Sequence, residues 1–391
     1  MSPRRTIASF VSFCVMPLAA IALSGCGGAN AKETPVQKTK TPVVDTGPAK
    51  TGETPKTGPE GDLSGEKPPA APKFAVPNVP FVEGAAAPIR LGGNEVKVEA
   101  CAFHTSGPEL LSDKVEEAIL DLAAGNDGAV YVLDKDQKVR RYVLQPGEGC
   151  ALALDSSFGK DGILTLPEPP HELQVLDDGT LVVFTSDATH LYKNNRLDTV
   201  ACYANMLSED GKTGYTLDRL TITRGAFTDD CKQAAWNYKG WKIDPDDGPA
   251  IRLGVIRERN GEIALGGTAS DGFAGITVHS PDGKVKLKFG SKNRKGPREE
   301  ETICSVHEIR WCGPGICALD TTCRRLSVWD AKKGTFIDSV KLKDLLRLPS
   351  PWVVGLATTK SAAFMGAVHD EKAEAGKAQR GVGVIFRITG I

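Results

Sequence analysis

A short turn followed by an apolar strand returns along the chain at a nearly regular interval. The second residue of each turn gives six anchor positions, which are Gly128, Gly179, Gly211, Gly261, Gly315 and Ser361. Successive anchors are separated by 51, 32, 50, 54 and 46 residues. A period of about 40 to 50 residues with several short strands in each unit is typical of a β-propeller. The sequence therefore predicts an all-β protein with a six-bladed β-propeller.

The fourth repeat unit shows the predicted strands of one blade most clearly. The strands are predicted at 251–256, 262–268, 273–279 and 284–289, and turns are predicted at Asn260-Gly261 and Asp282-Gly283. Asn or Asp followed by Gly supplies the positive-φ positions that tight hairpins require. This unit is therefore expected to form four antiparallel strands.

The last unit provides only three predicted strands, at 352–359, 361–370 and 383–389. The segment from Asn94 to Phe103 alternates between apolar and charged residues, with Val96, Val98 and Ala100 on one side. An open sheet edge exposes unpaired backbone groups, and a closed ring removes such edges. We therefore expect this segment to add the fourth strand to the last unit.

Two segments resemble bacterial propeller repeats of the delta-60 type. The first is Leu154 to Gly162, close to the Asp-x-Ser-Phe-Gly-x-x-Gly end of that repeat, and the second is Phe273 to Gly290. The resemblance covers about two of six repeats and implies a propeller without implying an activity, because propellers support many functions. A seven-bladed ring and a pair of β-sandwiches are the alternative folds.

The first 25 residues predict an export signal. Arg4 and Arg5 precede an apolar run, and small residues follow it. The run ends on Leu23-Ser24-Gly25-Cys26, which resembles the lipobox of bacterial lipoproteins. The resemblance implies cleavage before Cys26 and acylation of this cysteine, for example with palmitate. A plain signal peptide, an uncleaved anchor helix and a twin-arginine signal are the alternatives.

Residues 26–72 are predicted to form a disordered tether between the lipid and the propeller, which is predicted at 73–391. From Gly27 to Pro72 the chain carries eight Pro and no aromatic residue. Such a segment buries too little apolar surface to fold. Because Gly27 follows the lipidated cysteine, resemblance to diderm lipoproteins implies an extracytoplasmic protein held at the outer membrane through its lipid anchor.

The cysteine count predicts disulfide bonds. Of ten cysteines, Cys14 lies in the signal and Cys26 is the predicted lipidation site. An even number in an exported chain favours disulfides. The eight candidates are Cys101, Cys150, Cys202, Cys231, Cys304, Cys312, Cys317 and Cys323. We predict one disulfide between Cys202 and Cys231 and two local disulfides among the last four cysteines of this list. A zinc cluster is the alternative for those four cysteines, although they lack the paired CxxC spacings of such sites.

Two His-Glu pairs occupy the same place in different repeat units. His171-Glu172 and His307-Glu308 begin eight residues before Gly179 and Gly315. At that position both pairs would open an innermost strand and lie near the central channel. His and Glu there can bind a divalent metal or transfer protons. The alternative is that they occupy exposed strand starts with no shared role.

Two further groups lie in or near a long insertion of the third unit. Asp244, Asp246 and Asp247 cluster in a turn and are a candidate Ca²⁺ site. Trp236, Tyr238 and Trp241 are a candidate aromatic platform for a sugar or peptide. An ordinary solvated turn and a buried plug under a loop are the respective alternatives.

Composition and motifs favour binding over catalysis. A net charge of −1 gives no general attraction to nucleic acid. Complete signatures of hydrolase elbows, phosphate loops, zinc-protease helices and dinucleotide sites do not occur. We therefore expect a monomeric binding or scaffolding module with a protein or glycan partner at the envelope, and no cofactor other than a possible divalent metal. The alternative is a propeller enzyme, either a quinone-dependent sugar dehydrogenase or a metal-assisted lyase or hydrolase that uses a polar central channel.

Overall fold

The structure is a computed structural model, and almost all of its regular structure is β-strand. It describes residues 73–82, 88–104, 110–112, 118–147, 149–200, 203–218, 221–227, 241–242, 251–269, 274–291, 301–371 and 380–391. The predicted signal, lipidation site and tether lie outside these residues.

The first part of the chain contributes ten strands to two sheets. They are β1 (Phe74–Ala75), β2 (Ile89–Leu91), β3 (Asn94–Ala100), β4 (Ala102–His104), β5 (Leu111–Ser112), β6 (Asp121–Ala124), β7 (Ala129–Leu133), β8 (Lys138–Leu144), β9 (Ala151–Leu154) and β10 (Ile163–Thr165). Sheet 1 has the order β1-β4-β9-β8-β7-β6, and β10 pairs with β8. Strands β2, β3 and β5 belong to sheet 6, at the other end of the chain.

Four consecutive four-stranded sheets follow, each built from strands in chain order. Sheet 2 contains β11 (Pro170–Val175), β12 (Leu181–Thr185), β13 (Thr189–Lys193) and β14 (Arg196–Val200). Sheet 3 contains β15 (Met206–Leu207), β16 (Thr213–Asp218), β17 (Thr221–Ala226) and β18 (Trp241–Lys242). Sheet 4 contains β19 (Ile251–Arg259), β20 (Glu262–Ala269), β21 (Ala274–His279) and β22 (Val285–Ser291). Sheet 5 contains β23 (Glu308–Cys312), β24 (Gly315–Asp320), β25 (Arg325–Asp330) and β26 (Phe336–Lys341).

Sheet 6 combines the two ends of the described chain. It has the order β2-β3-β29-β28-β27, with β5 on β29, where the last strands are β27 (Trp352–Thr358), β28 (Ala363–Glu371) and β29 (Arg380–Thr389). Helix α1 (Leu342–Leu346) precedes β27. Within the described ranges, no helix is long and apolar enough to span a bilayer.

The six sheets are arranged around a common axis. The strand nearest the axis in each sheet is β6, β11, β15, β19, β23 or β27, and these innermost strands contact one another in ring order, from β6 around to β27 and back to β6. This cyclic arrangement is that of a β-propeller and not of paired β-sandwiches. The all-β propeller predicted from the repeat period is therefore confirmed.

The predicted anchors lie at the hairpins that join each innermost strand to the next strand outward. Gly128, between β6 and β7, has a φ of +81°, which a residue with a Cβ atom rarely adopts. In sheet 5 the positive-φ glycine of the turn is Gly313, at +53°, and not the predicted anchor Gly315, which is the first residue of β24. The repeat was therefore recognised correctly, with an error of two residues in that unit.

The ring is closed by a strand from the beginning of the propeller. Strand β3 pairs antiparallel with β29, and Val98 lies opposite Ile388. This confirms that the segment after Asn94 completes the last unit. The predicted strand 94–103 is too long, however, because it divides at Cys101. Beyond this residue β4 leaves sheet 6 and pairs in parallel with β9 of sheet 1.

The hydrophobic core lies between neighbouring sheets. Every residue of β7, β12, β21 and β24 is buried, because both faces of these strands are covered. Between sheets 6 and 1, Phe364 and Ile385 pack in one cluster with Val130 and Leu152. Between sheets 4 and 5, the rings of Phe289 and Trp329 are stacked with centroids 5.0 Å apart. Sheet-to-sheet packing therefore explains why these strands are nearly continuous apolar runs in the sequence.

In the described ranges three disulfides connect Cys101 with Cys150, Cys304 with Cys323, and Cys312 with Cys317. The last two are local bonds within the group of four cysteines, so the zinc alternative for that group is not observed. Cys202 and Cys231 lie outside the described residues, and their bond stays a prediction. Cys101–Cys150 lies where the chain crosses from sheet 6 to sheet 1.

Candidate binding site on the propeller axis

Arg257 of β19 reaches across the axis to two carboxylates on other sheets. Its Nη1 lies 2.6 Å from Oε1 of Glu172 in β11, and its Nη2 lies 2.8 Å from Oε1 of Glu308 in β23. The side chains of Arg257 and Glu308 are only 11% and 8% exposed. Glu172 belongs to sheet 2 and Arg257 to sheet 4, and these sheets are not neighbours in the ring. The guanidinium of Arg257 therefore lies in the interior of the ring. We call these three residues, together with Asp121 and Arg310, the axial cluster.

Asp121 adds a third carboxyl group from sheet 1. Its Oδ2 accepts a hydrogen bond from the backbone N–H of Leu173 in sheet 2, at 2.7 Å. Burial raises the pKa of Asp121 to about 7, and the negative charge of Glu172 adds to this shift. Burial also raises the pKa of Glu308, although the charge of Arg257 acts to lower it. These shifts favour partial protonation of the axial cluster near neutral pH.

The two arginines of the axial cluster remain charged. Burial alone would lower the pKa of Arg257, but the carboxylates of Glu172 and Glu308 outweigh this effect and raise it. Arg310 places its Nη1 3.1 Å from Oε1 of Glu308 and donates from Nε to the carbonyl oxygen of Leu356 in sheet 6, at 2.7 Å. Two positive charges therefore oppose three acidic groups, and the cluster connects five of the six sheets.

The four residues predicted at the axis separate into two kinds. Glu172 and Glu308 meet at one guanidinium, whereas His171 and His307 are exposed. Nε2 of His307 lies 3.2 Å from the carbonyl oxygen of Val354. In the described part of the chain, none of the four belongs to a group of three ligand-type side chains with ligand atoms within 4.8 Å of one another. A divalent metal bound by these residues stays a prediction.

Among the described residues, Cys304, Asp320 and Cys323 form one group of three side chains whose possible metal-ligand atoms lie close together. The two cysteines are joined by a disulfide, so they have no thiolates to offer a metal. The carboxylate of Asp320 accepts hydrogen bonds from the backbone N–H groups of Cys304, at 2.6 Å, and Cys323, at 2.8 Å. This group therefore holds the loop before β23 in place.

The remaining candidate residues are mostly beyond the described ranges. Asp244, Asp246, Asp247, Trp236 and Tyr238 all lie outside them. Trp241 is the first residue of β18 and pairs with Ile222 of β17. The calcium site and the aromatic platform therefore stay predictions.

Side chains near the axis also hold neighbouring sheets together. Gln174 of sheet 2 binds both backbone groups of Leu207 in sheet 3, since its Nε2 donates to the carbonyl at 2.7 Å and its Oε1 accepts from the N–H at 3.0 Å. Similar bonds join Glu209 N to Glu258 Oε2, at 3.2 Å between sheets 3 and 4, and Lys360 N to Asn126 Oδ1, at 3.3 Å between sheets 6 and 1. The ring is thus connected by polar contacts as well as by its core.

A cavity of about 510 Å³ lies on the hairpin side of the axial cluster. All six sheets contribute to its lining, whose charged members are Asp177, Glu209, Arg257, Glu258, Arg259, Arg310 and Lys360. Its volume falls within the range of small-ligand sites, about 300–1,000 Å³. We call it the axial cavity; two residues of the axial cluster, Arg257 and Arg310, belong to its lining.

Asp121, Arg257 and Arg310 were not found by the sequence analysis. The repeat contained a signal for Asp121, because Asp121, Glu172 and Glu308 each lie seven residues before the anchor glycine of their unit. Arg257 lies only four residues before Gly261. Its position therefore differs from that of the carboxylates, and no shared spacing connects it to them.

The raised pKa of Asp121 predicts that stability falls as the pH rises toward neutral. The folded state binds this proton more tightly than the unfolded chain, where the ordinary value is 3.8. The stabilisation is complete below about pH 4 and is lost as the pH rises through about 7. Asp121→Asn retains an oxygen for the N–H of Leu173. It should reduce the fall in unfolding free energy between pH 4 and 8 by up to about 4 kcal/mol, at about 1.4 kcal/mol per pKa unit.

Urea unfolding at each pH measures this effect. Asp136→Asn is the control, because the Asp136 side chain is 54% exposed and does not belong to the axial cluster. If Asp121→Asn kept the pH dependence of the unchanged protein, the assignment of this proton to Asp121 would be wrong.

Comparison with solved structures finds similar chains at low sequence identity. The WD40 β-propeller domain of Doa1 is 14% identical, with 70% of this chain and 93% of that chain covered and a TM-score of 0.40. The β-propeller domain of Cps50 (Swd1) from Myceliophteria thermophila is 9% identical, with 68% and 82% covered and a TM-score of 0.41. Sqt1 from Chaetomium thermophilum is 11% identical, with 70% and 83% covered and a TM-score of 0.40. No family model and no curated protein matches this chain.

Proposed function

We propose that this protein is a monomeric, non-enzymatic binding or scaffolding module of the bacterial envelope. In this proposal residues 1–25 direct export, lipidated Cys26 anchors the chain in the outer membrane, and residues 26–72 form the tether. Residues 73–391 form a propeller of six blades, one for each sheet, and this propeller binds a protein or glycan partner. The six sheets and the ring of innermost strands support the blade count.

The observation that carries the binding role is the axial cavity, which is lined by polar side chains from all six sheets, including the ion-paired Arg257. The two carboxylates predicted near the central channel, Glu172 and Glu308, are both engaged by Arg257. Their charges therefore stabilise the ring, while the cavity walls remain available to a ligand. A binding function requires only an accessible cavity with polar walls, and it does not require free catalytic carboxylates.

The raised pKa values of Asp121 and Glu308 favour a second candidate function. Carboxyl groups that hold a proton near neutral pH are candidates for acid-base catalysis. In this alternative the protein is an extracytoplasmic propeller enzyme, such as a sugar dehydrogenase or a metal-assisted lyase or hydrolase. Turnover of a sugar substrate that is abolished by Glu308→Gln in a folded variant would favour it over the binding module.

Replacing Cys26 tests the anchor. Cys26→Ala should abolish labelling of the protein with palmitate and release it from the membrane fraction, because acyl chains provide its attachment. Cys14→Ala, within the same export signal, should retain both. Full palmitate labelling of Cys26→Ala would contradict the predicted lipidation site.

Crosslinking in intact cells tests the binding role. The full-length protein should be recovered from membranes with a reproducible protein or glycan partner. Recovery of the protein alone, under crosslinking conditions that capture a known envelope complex in the same cells, would contradict a scaffolding or binding function.

A further inference from the structure

The charged side chains of the axial cavity are unevenly distributed around the ring. With six sheets in ring order, sheet 2 faces sheet 5 and sheet 3 faces sheet 6 across the axis. The hairpins of sheets 2 and 3 contribute Asp177 and Glu209, whereas sheets 5 and 6 contribute Arg310 and Lys360. The cavity therefore has an acidic wall and, opposite to it, a basic wall.

The acidic wall has two carboxylates that can form an ion pair with a cationic group of a ligand. The backbone N–H of Asp177 donates to the carbonyl oxygen of Glu209, at 2.9 Å, so the two residues lie on adjoining turns. Neither side-chain carboxylate accepts a hydrogen bond from any described residue. Burial raises the pKa of Glu209, and the charges of Glu258 and Asp177 raise it further, although the charge of Arg259 acts to lower it. A cation bound here would relieve this repulsion.

Glu258 is less available, because its two carboxylate oxygens are already engaged. One accepts from the backbone N–H of Glu209 and the other from that of Gly261. The guanidinium of Arg259 is similarly occupied. It lies 5.8 Å from the ring centroid of Trp311 and donates to the carbonyl oxygen of Gly313 at 2.8 Å. Sheet 4 thus contributes Glu258, Arg259 and the ion-paired Arg257 to the lining, and all three charges are already engaged.

The basic wall has donors that are not engaged. Arg310 uses Nε and Nη1 for Leu356, Ile309 and Glu308, and its Nη2 donates to no described residue. Lys360 is exposed on the hairpin after β27, and its Nζ forms no ion pair within the described ranges. A guanidinium N–H and an ammonium group are strong donors to a carboxylate.

Apolar residues of sheet 1 and of the walls themselves complete the lining. Ala123, Ala124 and Ala357 line the cavity together with Met206. They offer van der Waals contact to the middle of a ligand and no further charge. The cavity is therefore suited to a molecule with one charge of each sign at its two ends.

We propose that the axial cavity binds a small zwitterion, specifically a short peptide with a free N-terminal ammonium and a free C-terminal carboxylate. The ammonium lies against Asp177 and Glu209, and the carboxylate lies against Arg310 and Lys360. This inference rests on the proposed binding function and names the ligand class of its axial site.

Calorimetric titration of the full-length protein in detergent tests the proposal. The probes are trialanine, N-acetyl-trialanine, trialanine amide and the peptide blocked at both ends. Trialanine should bind at least ten-fold more tightly than either singly blocked peptide, and the doubly blocked peptide should not bind measurably. Alanine, as a second zwitterion, shows whether the distance between the two charges matters, and it should bind more weakly than trialanine.

Substitutions on each wall should act on one terminus only. Asp177→Asn should weaken trialanine about ten-fold and leave N-acetyl-trialanine unchanged, since that peptide lacks the ammonium. Lys360→Met should weaken trialanine similarly and leave trialanine amide unchanged. Asp282→Asn and Lys284→Met are matched controls, because both side chains are exposed on a hairpin of sheet 4 outside the cavity lining. Neither control should alter binding.

Equal affinity for the free and blocked peptides, or no binding of trialanine at millimolar concentration, would overturn the proposal. Either result leaves the crosslinking experiment unaffected. A partner recovered from membranes together with a negative titration would therefore reject the zwitterion site alone, whereas failure of both would also reject the binding module.

Discussion

Arg257→Met is expected to lower the free energy of unfolding by about 3–5 kcal/mol at pH 8. The substitution fills a similar volume but, among the described residues, leaves Glu172 without a positive partner at the axis and Glu308 with Arg310 alone. Removing one partner of a buried ion pair costs far more than removing the pair, because the remaining charge is left unsolvated. At pH 5 the loss should be smaller, because protonation removes the unpaired negative charge.

Urea unfolding at both pH values checks this expectation. If Arg257→Met does not fold at pH 8, its refolding at pH 5 provides the same comparison. The triple variant Arg257→Met, Glu172→Gln, Glu308→Gln should recover much of the lost stability, because it removes the charges together. Arg259→Met is the control, since Arg259 borders the same cavity but contacts a carbonyl and an indole ring. If the control and Arg257→Met lost the same unfolding free energy, the axial ion pairs would not contribute specifically to stability.

The fold was predictable because its signal is local and repeated. Each hairpin requires turn residues that only a few amino acids supply, and each strand between two sheets must be apolar on both faces. The strands of sheet 4 and the pairing of β3 with β29 could therefore be predicted from the sequence. The division at Cys101 could not, because it depends on where the backbone of Cys150 accepts from Ala102, at 2.7 Å.

The axial site was only partly predictable, since it depends on contacts between distant repeats. Glu172 and Glu308 share a position in their units, and this spacing placed both on innermost strands. Arg257 comes from a different position and reaches them only because the ring brings three sheets together. The charge opposition between the cavity walls likewise requires the ring order. No property of Asp177 or Lys360 in the sequence shows that they face the same cavity.

Removing the Cys101–Cys150 disulfide by a double substitution to Ala is expected to destabilise the protein by about 4 kcal/mol. The two cysteines are separated by 49 residues, so their bond removes much conformational freedom from the unfolded chain. It also connects the segment that closes the ring with sheet 1, where Cys101 donates its N–H to Ile385 of sheet 6 at 2.8 Å. Alanine suits both buried positions. Urea unfolding of the oxidised protein measures the loss.

The Cys312–Cys317 bond is the matched control, because it is also buried but joins cysteines only five residues apart. Its removal should cost about 2 kcal/mol, and removal of Cys304–Cys323, with a separation of 19, should cost about 3 kcal/mol. A loss ordered by sequence separation would indicate that the bonds act mainly on the unfolded chain. If removal of Cys101–Cys150 instead lowered the unfolding free energy by much more than its sequence separation predicts, the excess would measure how far ring closure depends on the bond. A loss below that of the Cys312–Cys317 control would show that the pairing of β3 with β29 closes the ring without help from the disulfide.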